Sequence, residues 1–179
     1  LFDHFNVDYK QDINVNLEKY LAGPMDKKIH IAHVRTAEQY AALFKNVTSQ
    51  KAIGEVSNSY LYLPSTAAAI HKALPDVQIV MILRNPVERL YSQLLMNLKL
   101  GKIVEKDLLK EIEADQVKPV KGWGVSHLYL EVGMYYEQVK RYLDIFDKNK
   151  VCILYYDDYK KDPTGTMQSL FKFLGVDAA

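Results

Sequence analysis

The chain has a single cysteine, Cys152, and a single tryptophan, Trp123. No internal disulfide can form, and the plain reading of that scarcity is a reducing compartment. Glycine, at 8 residues, and proline, at 6, are sparse and scattered. No internal repeat or low-complexity tract is present, which excludes collagen-like and linker-type chains. Charge of neither sign dominates, with 23 Lys and Arg against 22 Asp and Glu and a formal net charge of +1. A general binder of nucleic acid or of anionic membranes needs a basic excess, so both classes are disfavoured. Apolar runs such as Ile79 to Leu83 fall far short of the ~20 residues of a membrane span. The five histidines, His4, His30, His33, His71 and His127, share no metal-ligand spacing. No secretory signal is visible, so a cytoplasmic location is expected.

What is there is a globular composition: 179 residues, 49% apolar and 25% charged. A chain of this length buries roughly 70% of its unfolded surface, enough for about one domain. Strand-like and helix-like stretches alternate, the pattern of a parallel α/β sheet with helices on both faces. Three short runs read as strands: Lys51 to Val56, Val77 to Leu83 and Lys150 to Tyr156. Helix signals lie between and after them. Pro64-Ser65 opens an Ala-rich segment that Pro75 ends, and Asn85-Pro86-Val87-Glu88 combines an N-cap, a proline at the first position and a capping-box glutamate. Leu128, Val132, Tyr135, Val139, Tyr142 and Phe146 step by three and four, predicting one helix from about Ser126 to Asp147. Asp162-Pro163 opens a last helix closed by Gly175. In the first fifty residues, Leu17 to Leu21 and Ala37 to Phe44 read as short helices and Gly23 to Lys28 as a loop.

The segment Ile82-Leu83-Arg84-Asn85-Pro86-Val87-Glu88-Arg89-Leu90-Tyr91-Ser92 carries the most chemistry. A buried strand delivers Arg84 to its C-terminal end, where ligands sit in open α/β sheets. Ser92 then lies two turns along the following helix. A guanidinium fork and a hydroxyl so placed suit one phosphate gripped from two sides. The alternative is that Arg84 pairs with a carboxylate and Ser92 is an ordinary surface residue.

Arg84-Asn85-Pro86-Val87-Glu88-Arg89, with Ser92 eight residues after Arg84, resembles the 3′-phosphate-binding motif of sulfotransferases that use 3′-phosphoadenosine 5′-phosphosulfate (PAPS). Three more segments match in the same order. Gly54-Glu55-Val56-Ser57-Asn58-Ser59-Tyr60-Leu61 is similar to a segment of the bacterial and heparan-sulfate-type members. Gly133-Met134-Tyr135 is similar to the family's Gly-x-Tyr helix. Tyr155-Tyr156-Asp157-Asp158-Tyr159-Lys160-Lys161-Asp162-Pro163, with Phe173-Leu174-Gly175-Val176, resembles its adenine-side strand and closing helix. The resemblance runs from about Tyr40 to Val176. It implies a P-loop-nucleotide-hydrolase-like α/β fold, a parallel sheet flanked by helices, in one sulfotransferase-like domain over residues 1–179.

The family's Lys-Ser/Gly-Thr-Thr loop, whose amides and Lys hold the 5′-phosphosulfate, has no counterpart in this sequence. The chain begins at Leu1 rather than Met, so it reads as starting just after that loop. A closing Arg-Lys-Gly segment is expected beyond Ala179. Within residues 1–179 the resemblance implies that Arg84 and Ser92 hold the 3′-phosphate and that Tyr156 lies on the adenine side. Glu55 is the candidate base, with Ser57 toward the sulfuryl group and acceptor and Trp123 capping an acceptor pocket. Arg89 is expected to brace the motif through a carboxylate. The residues themselves leave alternatives open: a structural Glu55, a core Tyr156, a Trp123 that anchors a plain turn. His4 is a minor candidate. The implied reaction moves a sulfuryl group from PAPS to a hydroxyl or amine of a small-molecule, carbohydrate or polyketide-like acceptor. It leaves 3′-phosphoadenosine 5′-phosphate and requires no metal. A non-catalytic binding or assembly domain on the same fold is the alternative, and a P-loop kinase is a weaker third reading.

Overall fold

The computed structural model describes residues 16–26, 34 and 36–177, so His4, His30 and His33 lie outside the described residues, as do Lys27 and Lys28 of the expected loop. The chain divides into two compact units, Leu1–Ile53 and Gly54–Ala179. In the first, helix α1 (Leu17–Ala22) is capped by Asn16, whose side chain accepts from the Lys19 amide at 2.9 Å. Helix α2 (Ala37–Ala42) begins in a reciprocal capping box between Thr36 and Gln39. Lys45 donates to the carbonyls of Leu21 and Gly23, placing a cation on the orphan carbonyls at the end of α1.

The second unit holds a parallel pair of strands, β1 (Ile79–Leu83) and β2 (Val151–Tyr155), in the register Ile79 to Val151 through Leu83 to Tyr155. Helices α3 (Ser59–Tyr62) and α4 (Thr66–Ala73) precede β1. Helices α5 (Pro86–Lys99), α6 (Leu108–Gln116) and α7 (Tyr135–Ile145) fill the crossover, and α8 (Tyr156–Lys161) and α9 (Pro163–Leu174) follow β2. The architecture is α/β, a parallel sheet flanked by helices. Side chains alternate across β1, so Met81 and Leu83 are buried with Ala67 of α4 and with Tyr142 and Phe146 of α7 and its C-cap. On the opposite face Val80 and Ile82 remain exposed. A second apolar cluster joins Leu90 and Leu94 of α5 to Tyr129, with Leu108 and Ile112 of α6 packed on it.

Three sequence expectations are corrected. Residues 51–56 form no strand: they are exposed and unpaired, and among the described residues the sheet ends at β1. Their apolar residues are interrupted by Gly54 and Glu55, which gives no continuous face to bury. The helix expected from Ser126 starts only at Tyr135. Leu128 sits at φ 53°, a left-handed conformation no helix interior accepts, and a single 3₁₀ turn, Glu131–Gly133, precedes the helix. The periodicity there serves a buried loop, since Leu128 is only 2% exposed. Tyr156 is the first residue of α8 and not part of a strand.

The Asn85 cap and Pro86 of α5 are as the sequence implies, whereas the capping-box return from Glu88 is not made. Asn85 Oδ1 accepts from the amides of Val87 at 3.0 Å and Glu88 at 3.3 Å, and Pro86 supplies the first helical position. Glycine at 175 takes φ 68° and closes α9, as a left-handed cap requires. Asn85→Ala is expected to cost about 1 kcal/mol, within the range for lost caps. For a protein of this size that lowers the thermal midpoint by about 2–4 °C. Differential scanning calorimetry checks it, and an unchanged midpoint rules out the cap.

Candidate functional site

Parallel pairing ends both strands at one edge of the sheet, with Leu83 opposite Tyr155. The next residue on each strand is therefore brought to the same place: Arg84 on one side, Tyr156 on the other. The Arg84 guanidinium carbon lies 5.0 Å from the centre of the Tyr156 ring, a cation–π contact. From the next turn of α8, Lys160 Nζ lies 5.4 Å from the same ring centre. Glu88, at the third position of α5, does not reach back to the cap as a capping box would. Its Oε2 instead takes Arg84 Nε at 3.3 Å and Lys160 Nζ at 3.4 Å. Lys160 also bonds Asp157 at 2.8 Å. That hydrogen bond holds the Asp157 carboxyl below its ordinary range and raises the Lys160 ammonium. Tyr159 stacks on Tyr156 with ring centres 6.2 Å apart. Ser92 is exposed one helical turn beyond Glu88, on the same face of α5.

Arg84 and Tyr156 are thus brought together, and Ser92 lies along the same helix face. Among the described residues, no hydrogen bond, ion pair or ring contact joins Glu55, Ser57 or Trp123 to that cluster. Glu55 is exposed on the extended segment before α3 and makes no ion pair among the described residues. Ser57 Oγ lies 3.0 Å from the buried Ser59 Oγ. This segment is anchored from α7. Arg141 donates to the carbonyls of Leu61 and Tyr62, each at 3.0 Å, and the Tyr142 hydroxyl donates to the Tyr60 carbonyl at 2.8 Å. Burial pushes the Tyr142 hydroxyl up to about 12, so it stays a donor. Trp123 is half-buried and packs on Tyr62 of α3 at a ring-centre distance of 6.1 Å.

Arg89 does brace the motif, but through no carboxylate among the described residues. It donates to Gln93 Oε1 at 2.7 Å and to the Tyr129 carbonyl. Sequence reasoning missed the wider network to which this bond belongs. Arg89, Gln93 and Asn97 recur every four residues along one stripe of α5, and all three bind the loop at 127–129. Gln93 donates to the His127 carbonyl at 2.5 Å. Asn97 bonds the Tyr129 hydroxyl at 2.9 Å and His127 Nδ1 at 3.2 Å. From α6, Asp115 accepts from the His127 amide at 2.8 Å and pairs with Lys118 at 3.1 Å. The signal is readable as a polar i, i+4, i+8 stripe, yet nothing in it names the loop that satisfies it. A Cβ on Gly133 would stand 3.3 Å from Pro86 Cβ and 3.6 Å from Arg89 Nε, so the Gly133 segment packs directly on the Arg84–Ser92 segment.

With that geometry established, comparison with known proteins decides the family. A family model described as a sulfotransferase domain matches residues 18–179. The chain belongs to the sulfotransferase family. Among curated relatives it is similar to the bifunctional heparan sulfate N-deacetylase/N-sulfotransferase 1 of Caenorhabditis briggsae, 26% identical over 155 residues, covering 80% of this chain and 17% of that protein. It is also similar to human carbohydrate sulfotransferase 15, 28% identical over 129 residues, covering 60% and 22% of the two chains. Among solved structures, a sulfotransferase from Alicyclobacillus acidocaldarius superposes with a TM-score of 0.74 at 30% identity, covering 83% of this chain and 61% of that one. This sulfotransferase-family chain therefore spans about a fifth of the length of those two curated relatives. Among the described residues, no helix is long and apolar enough to cross a membrane.

The polar stripe has two measurable consequences. Asn97→Ala leaves the buried Tyr129 hydroxyl and His127 Nδ1 without their shared donor and should cost about 1–3 kcal/mol in urea unfolding; a loss below a few tenths would mean that the network contributes nothing. Burial first, and then Lys118, hold His127 below its ordinary value of 6.5, against the pull of Asp115 and Glu111. As pH falls below that value the unfolded chain gains the proton first, so stability declines with it. The urea midpoint should drop between pH 7 and pH 5, and less steeply in His127→Gln. Asp115, whose carboxyl is held low by the His127 amide and Lys118 despite burial, acts only below 3.8, outside that window.

Proposed function

We propose that this chain carries the nucleotide-recognising part of a PAPS-dependent sulfotransferase, transferring a sulfuryl group to a hydroxyl or amine. Residues 1–179 read as one such domain, the family match running across both compact units. The observation that supports the reading best is the meeting of Arg84 with Tyr156 at the carboxyl edge of the parallel strands. That edge is where ligands sit in open α/β sheets. A guanidinium beside an aromatic face suits a phosphate joined to an adenosine. Arg84, with Ser92 two turns along α5, takes the 3′-phosphate, and Tyr156 offers its ring to the adenine.

In the reaction the acceptor oxygen or nitrogen forms a bond to sulfur as the bond from sulfur to the 5′-phosphate oxygen breaks. The electron pair leaves with that phosphate, and the acceptor's proton passes to a base. Glu55 is the proposed base, with Ser57 beside it and Trp123 walling the acceptor side. Its support is the resemblance of the segment at 54–61 to the family's, together with the anchoring of α3, which follows Glu55 and Ser57, by Arg141 and Tyr142 and the packing of Trp123 on Tyr62. Rate enhancement would come from positioning and from stabilising charge on the leaving phosphate. The heparan sulfate and carbohydrate sulfotransferases among the relatives favour a carbohydrate within the proposed range of acceptors.

Titration calorimetry with 3′-phosphoadenosine 5′-phosphate and adenosine 5′-phosphate tests the core of this reading. A charge-assisted bond from Arg contributes roughly 1.5–3 kcal/mol and a neutral one from Ser roughly 0.5–1.5 kcal/mol. Arg84→Ala should therefore weaken the 3′-phosphorylated nucleotide more than Ser92→Ala does, and neither should alter the other nucleotide. Equal weakening of both ligands by Arg84→Ala would assign Arg84 to the fold and end the phosphate reading.

A further inference from the structure

The two cations that face the Tyr156 ring converge on one atom. Arg84 reaches Glu88 Oε2 from the end of β1 at 3.3 Å, and Lys160 reaches the same oxygen from α8 at 3.4 Å. A single anionic oxygen held by a guanidinium and an ammonium that both face an aromatic ring is the arrangement a phosphate oxygen would adopt there. We propose that Glu88 is a placeholder for the 3′-phosphate, that the phosphate displaces it, and that Lys160 then joins Arg84 on the phosphate. This role rests on the proposed phosphate reading and assigns two residues that reading did not use.

Charge and access both favour the exchange. In these ion pairs Arg84 and Lys160 are matched by Glu88 and Asp157, so the carboxylates offset the pull of the two cations on an anion. The side chains of Arg84, Glu88 and Lys160 keep 33%, 46% and 45% of their exposure, so a ligand can reach them and the carboxylate can swing into water. Ion pairs this exposed contribute little net stability, and a phosphate dianion binding both cations outcompetes one carboxylate. Glu88 sits on α5, tethered one turn before Ser92, and cannot leave entirely. Once a phosphate is bound, its carboxylate is a like charge close by, which weakens binding. A single negative charge gains too little to pass that barrier, so Glu88 selects for a dianionic terminal phosphate.

The test uses the full 179-residue chain with the same two nucleotides, adding Glu88→Gln and Lys160→Met. Glu88→Gln keeps the helix position and removes only the charge. It should tighten 3′-phosphoadenosine 5′-phosphate by about five- to tenfold and leave adenosine 5′-phosphate unchanged. It should also give inorganic phosphate measurable affinity that the parent chain lacks. Lys160→Met should weaken the 3′-phosphorylated nucleotide several-fold, with the circular dichroism melt confirming a folded protein. If Glu88→Gln weakens that nucleotide or leaves it unchanged while Arg84→Ala still weakens it selectively, the placeholder role is overturned and the phosphate reading stands. If the parent chain binds the two nucleotides equally, the phosphate reading fails and takes the placeholder with it.

Discussion

The structure of residues 54–179 turns on the parallel register of two short strands. Because Leu83 pairs with Tyr155, the residues that come next, Arg84 and Tyr156, have to emerge side by side. An antiparallel pair would have sent them to opposite ends of the sheet. Parallel pairing also demands a long crossover. Here the crossover runs through α5, α6, the loop at 127–129 and α7, and these pack the buried face of β1 and the far side of α5. One hydrogen-bonding choice thus supplies both the cleft edge and the bulk of the core.

The crossover is held as much by polar chemistry as by apolar burial. Arg89, Gln93 and Asn97 present a ladder along α5, and the loop at 127–129 answers with two carbonyls, a ring nitrogen and a hydroxyl. Such a loop cannot be buried unless its backbone groups find partners. The ladder makes burial of Leu128 possible despite its left-handed backbone. It also ties two motifs together, since Gly133 lies against Pro86 and Arg89. The Arg84–Ser92 segment and the Gly133–Tyr135 segment are therefore two sides of one packed contact, which gives a physical reason for their joint presence in this chain.

The candidate residues of this chain are divided by position. The Arg84–Glu88–Lys160–Tyr156 cluster is open to solvent, whereas Glu55 and Ser57 precede α3, which Arg141 and Tyr142 hold and on whose Tyr62 Trp123 packs. The first group is carried by the end of β1, by α5 and by α8, and α3, which follows Glu55 and Ser57, is bonded from α7. Rigid elements carry the side chains and exposed ones meet the ligand, the usual division in α/β proteins.

Local chemistry is legible from sequence wherever a residue satisfies its own neighbours. Asn85 with Pro86, and Asp162 with Pro163 and Gly175, all act within a turn, so their types alone announce the helix ends. The strand character of β1 and the family-bearing motifs are readable for the same reason, whereas the exposure of Val80 and Ile82 in an all-apolar run is not. What tertiary structure alone decides is which partner each polar group takes. Glu88 has the spacing of a capping box, yet two cations from separate elements draw its carboxylate away. Arg89 has the type and place of a carboxylate's partner and instead finds a backbone carbonyl 40 residues away. The periodic residues from Leu128 onward have helical spacing, but a loop clamped by α5 and α6 buries Leu128 without a helix. Periodicity reports that a side chain is buried, whereas the backbone conformation that buries it depends on groups distant in sequence.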